Sequence, residues 1–379
     1  MPCLNEARTV GRCVGKAVAA LERMGVQGEV IVADNGSTDG SAEVAGGLGA
    51  RVVRVPRRGY GCTLRAGIEA AAGLYVVLGD ADGEHDLGPE QLAPFLERLR
   101  LGDDLVVGNR FRGLVRPGSM SRLRRYVGNP FLSGILNLFF RTPIRDAHCG
   151  LRAFRKCGYA RLGLLSEGME FASEMVVKAS LHGLKMSEVP VVQHRGGRGR
   201  RSHLRPFRDG WRHLRLMLSL CPTWLYLIPG GLSLSAGLGV TAWHACYAPA
   251  SGPQPDGVVW PGVLGVLLGY QLVWYWGLAQ AYYGSNGLFA AAEQNPRLLR
   301  RLSIEAGLAV GAGLVALALG LLLRAAWIDP GVWCVGAGTS TTPPLVIWGV
   351  VAGALGAQTI FGSFFLGLIG FAHQGEDDG

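Results

Sequence analysis

Beyond residue 222 the sequence has almost no charge. Of the 37 Lys and Arg and the 28 Asp and Glu in the 379-residue chain, residues 223–379 hold 4 and 7. A soluble domain carries roughly a quarter charged residues, so this part is not read as one. The eight cysteines include no Cys-x-x-Cys pair. That excludes the usual zinc and dithiol motifs, and the scattered thiols read as reduced and cytosolic. No apolar leader follows Met1, which runs into Pro2-Cys3-Leu4-Asn5-Glu6, so no secretory signal is expected. Basic residues do not interleave with stacking aromatics and no nucleic-acid-binding motif occurs, so nucleic acid is not an expected partner. There is no internal repeat.

What is present divides in two. Residues 1–222 hold 33 Lys and Arg against 21 Asp and Glu, a basic globular part suited to anionic headgroups or anionic substrates. The remainder contains four apolar stretches, at 224–247, 258–283, 303–328 and 343–371. Each exceeds the ~20 residues a spanning helix needs. Loops 248–257 and 329–342 have no Lys or Arg, whereas 284–302 has Arg297, Arg300 and Arg301. Positive-inside reasoning puts the globular part, the 284–302 loop and the C-terminus in the cytoplasm. The expected division is a globular domain at 1–200, a basic interfacial helix at 201–222 and a cell-membrane, multi-pass domain at 223–373. Its apolar helices offer a route to homo-oligomers.

Within the first part, short β-rich runs alternate with helical patterns. Residues 1–6 read as the tail of a strand that is either very short or begins upstream. Strands are expected at 29–33, 51–55, 74–78 and 105–110, with helices from about Asn5 to Met24, around Leu64 and Ile68, and from Pro89 to Leu101. That order indicates a doubly wound, mostly parallel α/β sheet. The strand at 74–78 is followed at once by Gly79-Asp80-Ala81-Asp82-Gly83-Glu84. Ligands bind outside the carboxyl ends of such strands. Two carboxylates separated by one small residue suit Mg²⁺ or Mn²⁺, with Glu84 as a third oxygen. The plain alternative is a solvated acidic turn. Asp34 likewise ends a strand and is followed by Asn35-Gly36-Ser37-Thr38-Asp39-Gly40, which reads as a capped β–α turn or as a nucleotide contact. Gly59-Tyr60-Gly61 precedes a helix and is a weak phosphate-cradle signal. Leu64 stands where a dinucleotide fingerprint needs Gly.

Two further segments bear on the membrane. Phe131, Ile135, Leu138 and Phe139 share one helical face behind Arg122, Arg124 and Arg125. That is either a core helix or one that dips into the bilayer surface. Residues 195–201 form a Gly/Arg-rich loop. Phe207, Trp211, Leu214 and Leu218 then recur as an apolar stripe flanked by Arg205, Arg208, Arg212 and Arg215. The expectation is a basic helix lying on anionic headgroups, with Arg205, Arg208 and Arg212 holding it there.

Taken in order, Pro2-x-x-Asn5-Glu6, Asp34–Gly40, Gly59-x-Gly61 with Leu64-Arg65-x-Gly67, Asp80-Ala81-Asp82 and Gly108-x-Arg110 resemble one family. It is the inverting nucleotide-sugar glycosyltransferases related to dolichyl-phosphate mannose and glucose synthases. The resemblance continues through Asp146-x-x-x-Gly150-Leu151-Arg152-Ala153-Phe154, Met169-Glu170-Phe171 and Glu188-Val189-Pro190 to about residue 220. It implies a GT-A-like nucleotide-sugar domain, a nucleoside-diphosphate hexose donor, a polyprenyl phosphate acceptor and Mg²⁺ or Mn²⁺.

It also implies roles. Pro2, Glu6, Asp34, Asn35, Gly59, Gly61 and Ala81 would bind the donor. Asp80 and Asp82 would hold the metal and diphosphate, with Glu84 where a Gln is common. Arg110 and Arg124 would meet the acceptor phosphate, Asp146 would lie near the reacting centre, and Arg195 would close over the phosphates. Ser202-His203-Leu204 replaces the family's Ser-Lys-Leu, and the first strand is truncated. A polysaccharide or glycolipid synthase and a degenerate, non-catalytic scaffold are the alternatives. The Gln-x-x-Arg-Trp signature of processive synthases is absent, and the acidic turn and arginines argue against decay.

Overall fold

A computed structural model describes residues 1–196, 206–247, 259–285, 304–328 and 344–374. The chain forms two compact units, Met1–Leu220 and Cys221–Gly379.

The first unit runs β1 (Pro2–Cys3), α1 (Val10–Arg23), β2 (Ile31–Asp34), α2 (Ser41–Gly47), β3 (Arg51–Arg54), α3 (Tyr60–Ala70), β4 (Tyr75–Leu78), α4 (Pro89–Arg100) and β5 (Leu105–Val115). It continues with α5 (Asn129–Phe140), β6 (Arg152–Arg155), α6 (Lys156–Ala160), α7 (Phe171–Leu181), β7 (Met186–Gln193) and α8 (Pro206–Ser219). β1, β2 and β3 make a parallel sheet in that order. A second sheet has the order β4-β6-β5-β7. β6 runs antiparallel to both neighbours and β7 is parallel to β5. Three of the five pairings are therefore parallel, with β6 the reversed strand.

The expected strand at 105–110 does not stop at Arg110. It continues to Val115 beside β7, with a register irregularity between Asn109 and Leu114. Gly113 lies against the Val191 backbone, where a side chain would collide. Helix α1 buries Val10, Cys13, Val14, Ala17 and Ala20 at helical spacing, which fixes its inner face. Among the apolar residues at the core of the second sheet lies Arg152. That buried guanidinium donates to the carbonyls of Ala147, Cys149 and Ala172, so its charge is met by backbone dipoles.

The outward faces of two helices are apolar. On α5 the exposed residues include Phe131 and Leu138, while Ser133, Leu136 and Phe140 are buried. On α8, Phe207 is 87% and Trp211 59% exposed, whereas His213 and Met217 face inward. α8 packs against α5, α7 and the π-helical turn Arg124–Gly128.

The second unit contains α9 (Ile228–Tyr247), α10 (Val259–Ser285), α11 (Ile304–Ile328) and α12 (Pro344–Gln374). Among the described residues four helical stretches are long and apolar enough to cross a bilayer: Thr223–His244, Val259–Gly284, Ile304–Ile328 and Pro344–Ile369. α9 and α10 form one close pair and α11 and α12 another. Both use small residues at the contact, with Gly237 against Gly262 and Gly265, and Gly311 against Gly356. Tyr270 and Thr359 hydrogen-bond at 2.6 Å, and Gln358 Nε2 donates to Gln271 Oε1 at 2.8 Å, which ties α10 to α12.

Candidate active site

The turn after β4 forms one wall of a cavity of about 450 Å³ in the first unit. Asp80 and Asp82 both line it, as do Pro2, Glu6, Asn35 and Gly59. Tyr60 Oη donates to Asp80 Oδ1 at 2.9 Å. The Glu84 amide donates to Asp82 Oδ1 at 2.9 Å, which closes the turn. Two hard carboxylates at one cavity wall fit a divalent cation that leaves its other positions to water and phosphate oxygens. Glu84 lines the cavity too, but its carboxylate accepts from Gln193 Nε2 at 2.9 Å. Among the described residues no group of three or more His, Cys, Asp or Glu side chains converges to hold a metal. The fit is therefore to Asp80 and Asp82, with Glu84 directed to the β7 side.

The glycine and turn residues have structural partners. Asp34 is buried and accepts from the amides of Gly36 and Ser37 in its own turn. It stands behind the cavity lining. Asn35 donates to the carbonyls of Val55 and Arg57 and accepts from the Gly59 amide. Gly61 and Ala81 are buried and do not line the cavity.

Arg110 and Asp146 form a buried bidentate pair. Arg110 Nε donates to Asp146 Oδ2 and Nη2 to Oδ1, each at 2.7 Å. Burial works against this guanidinium's charge, but Asp146 outweighs it and holds the Arg110 pKa above its ordinary value. Asp146 itself is fully buried and outside the lining, so it acts on the cavity through Arg110. Glu188 fixes that loop: its carboxylate accepts from the Arg145 and Asp146 amides and from Asn109 Nδ2.

Several other lining residues are basic. Arg124, from the π-helical turn, lines the cavity with Arg208 and Arg212 of α8. Burial first, then the neighbouring Arg110, pushes the Arg124 guanidinium below its ordinary range. Arg212 stands 4.0 Å from Glu170. The sequence reading sets Arg208 and Arg212 on headgroups. The fold turns both into the cavity wall, because the buried side of α8 is the His213 and Met217 side. His213 Nδ1 lies 2.7 Å from Ser173 Oγ, which also approaches His148 Nε2 at 3.3 Å. Burial lowers the His213 pKa to about 4 and also lowers that of His148. Arg195 is exposed, beside Gly118, and is not among the lining residues. The expectations for Arg198, Arg200, Arg201, Ser202, His203 and Arg205 fall outside the described residues.

Residues 1–163 match the profile of Glycosyl transferase family 2. Residues 277–370 match the Glycosyltransferase family 2 C-terminal transmembrane region. The low-salt glycan biosynthesis hexosyltransferase Agl6 of Haloferax volcanii is 36% identical over 384 residues, covering 98% of this chain and 88% of that protein. The chain belongs to glycosyltransferase family 2. This family 2 enzyme is a membrane glycosyltransferase whose acidic and basic cavity walls lie in the part matched by the catalytic profile and the segment just beyond it.

A dolichyl-phosphate hexose transferase, also of H. volcanii, is 26% identical over 211 residues, covering 55% of this chain and 89% of that protein. Glucosyl-3-phosphoglycerate synthase of Mycobacterium tuberculosis, solved with phosphoglyceric acid, is similar at 23% identity and a TM-score of 0.45. That match covers 58% of this chain and 78% of that one. Sequence reasoning missed Tyr60, His148 and Glu188 as parts of the site. Tyr60 had a signal, since it is the central residue of a Gly-x-Gly motif already singled out.

Proposed function

We propose that this family 2 glycosyltransferase moves a hexose from a nucleoside-diphosphate sugar to a polyprenyl phosphate, with inversion. The observation that carries the reading is the meeting of carboxylates and arginines in the lining of one cavity. Asp80 and Asp82 face the donor side, and Arg124, Arg208 and Arg212 face it from other elements. A lipid phosphate acceptor is in keeping with the dolichyl-phosphate hexose transferase among the relatives.

In this reading Pro2, Glu6, Asn35 and Gly59 border the nucleotide. Asp80 and Asp82 hold Mg²⁺ or Mn²⁺, which when bound stabilises the charge developing on the leaving diphosphate. An oxygen of the acceptor phosphate attacks the anomeric carbon as the bond to the diphosphate breaks, and the nucleoside diphosphate leaves. One displacement inverts that carbon. The acceptor is already anionic near neutral pH, so a strong general base is not needed. Arginine forks orient it instead. Arg124 is the best placed, since an anion beside it would offset both its burial and the repulsion from Arg110. Arg110 lines the cavity as well, and its pairing with Asp146 orients the guanidinium toward the acceptor phosphate. The charge on the loops supports a cytoplasmic catalytic unit.

The test is to incubate membranes containing the enzyme with a panel of labelled nucleotide sugars and a polyprenyl phosphate, then extract lipids. Label from one donor should enter an acid-labile lipid product. Transfer only to a soluble acceptor, with no lipid product from any donor, would reject the acceptor assignment.

A further inference from the structure

The Gly59-Tyr60-Gly61 motif invites a phosphate-cradle reading, and the fold closes that route. The Gly59 amide is taken by Asn35 Oδ1 at 3.0 Å and the Gly61 amide by the Glu167 carbonyl at 2.8 Å. Gly59 has φ +142°, which favours glycine, and a side chain at Gly61 would collide with the Ser166 carbonyl. Both glycines therefore let the first turn of α3 lie directly on residues 166–167. What this close approach delivers to the cavity is the residue between them.

Tyr60 lines the cavity and donates to Asp80 Oδ1 at 2.9 Å. The other oxygen, Oδ2, sits over Gly150, where any side chain would strike it. Asp80 lies two residues beyond the end of β4, so its carboxylate is not oriented by the sheet. It is gripped between a phenol and a bare backbone. We infer that Tyr60 is a positioning residue, holding the Asp80 carboxylate in the orientation that receives the divalent cation. This rests on the metal reading given above.

The chemistry of the donor matters. A lysine or arginine at this place would cancel the carboxylate's charge and compete with the cation. A phenol hydrogen-bonds one oxygen and leaves the full negative charge.

The experiment measures Mn²⁺ binding by electron paramagnetic resonance on the full-length protein in detergent, with no sugar donor present. Wild type, Tyr60→Phe, Asp80→Asn and the double variant are compared. Tyr60→Phe keeps the ring and should weaken Mn²⁺ binding by about 10-fold, within the ~10–100-fold range of outer-shell changes. Its melting temperature without Mn²⁺ should match wild type. Asp80→Asn should weaken binding further, and adding Tyr60→Phe to it should change nothing more. Mn²⁺ affinity within twofold of wild type in Tyr60→Phe, where Asp80→Asn does weaken binding, would overturn the role of Tyr60 alone. Affinity unaffected by Asp80→Asn would overturn the metal reading and the Tyr60 inference with it.

Discussion

Arg110 is a phosphate ligand by sequence resemblance, and in the fold it both lines the cavity and forms a buried pair with Asp146. Its partner Asp146 is 0% and Arg110 itself 3% exposed, so removing one charge leaves the other without compensation. Asp146→Ala should destabilise the catalytic unit by about 3–5 kcal/mol. Replacing both by apolar residues, Arg110→Met with Asp146→Leu, should recover much of that loss. Chemical denaturation of the full-length variants in detergent, followed by tryptophan fluorescence, checks the order. A double variant no more stable than Asp146→Ala would count against the pair as the cause. At this scale the legible residues are those whose type and place coincide, such as Asp80 and Asp82 just past a buried strand. Tyr60 was hidden because its chemistry depends on a contact 20 residues away in sequence. That Arg208 and Arg212 also line the cavity was not legible, because an apolar stripe shows that a helix has two sides, not which side meets the site.

At the scale of elements, α5 and α8 carry apolar outer faces that the cavity-forming fold does not cover. Phe131, Phe207 and Trp211 are each more than half exposed, beside arginines suited to anionic headgroups. Phe207→Ser with Trp211→Ser should raise the acceptor concentration for half-maximal rate in proteoliposomes several-fold. The donor requirement should stay unchanged. Equal effects on both substrates would show a general loss of structure instead. The strands were legible in proportion to their apolar content. β4 reads Tyr-Val-Val-Leu and was plain. β6 reads Arg-Ala-Phe-Arg and was not, since its buried Arg152 satisfies itself on carbonyls that no local pattern reveals. The reversal of β6 escaped the sequence for the same reason, and β5 was cut short because its bulge follows the expected end.

Over the whole molecule the scarcity of charge beyond residue 222 anticipated the four apolar helices. The proposed orientation rests on the charge of the loops alone. Single cysteines placed in 248–257 and 329–342, with native cysteines controlled for, should react with an impermeant thiol reagent from outside the cell. One in 284–302 should not. The reverse pattern would turn the topology over. In the proposed reaction one cavity couples a donor bound at Asp80 and Asp82 to a lipid phosphate at the lining arginines. Its most direct test is a mass balance in purified proteoliposomes given the active nucleotide sugar and polyprenyl phosphate. Wild type should release one nucleoside diphosphate for each glycolipid formed, and Asp82→Ala should lower both together by about 100-fold or more. Glycolipid formation at a near-normal rate in Asp82→Ala, or nucleoside diphosphate release by wild type without glycolipid, would contradict it.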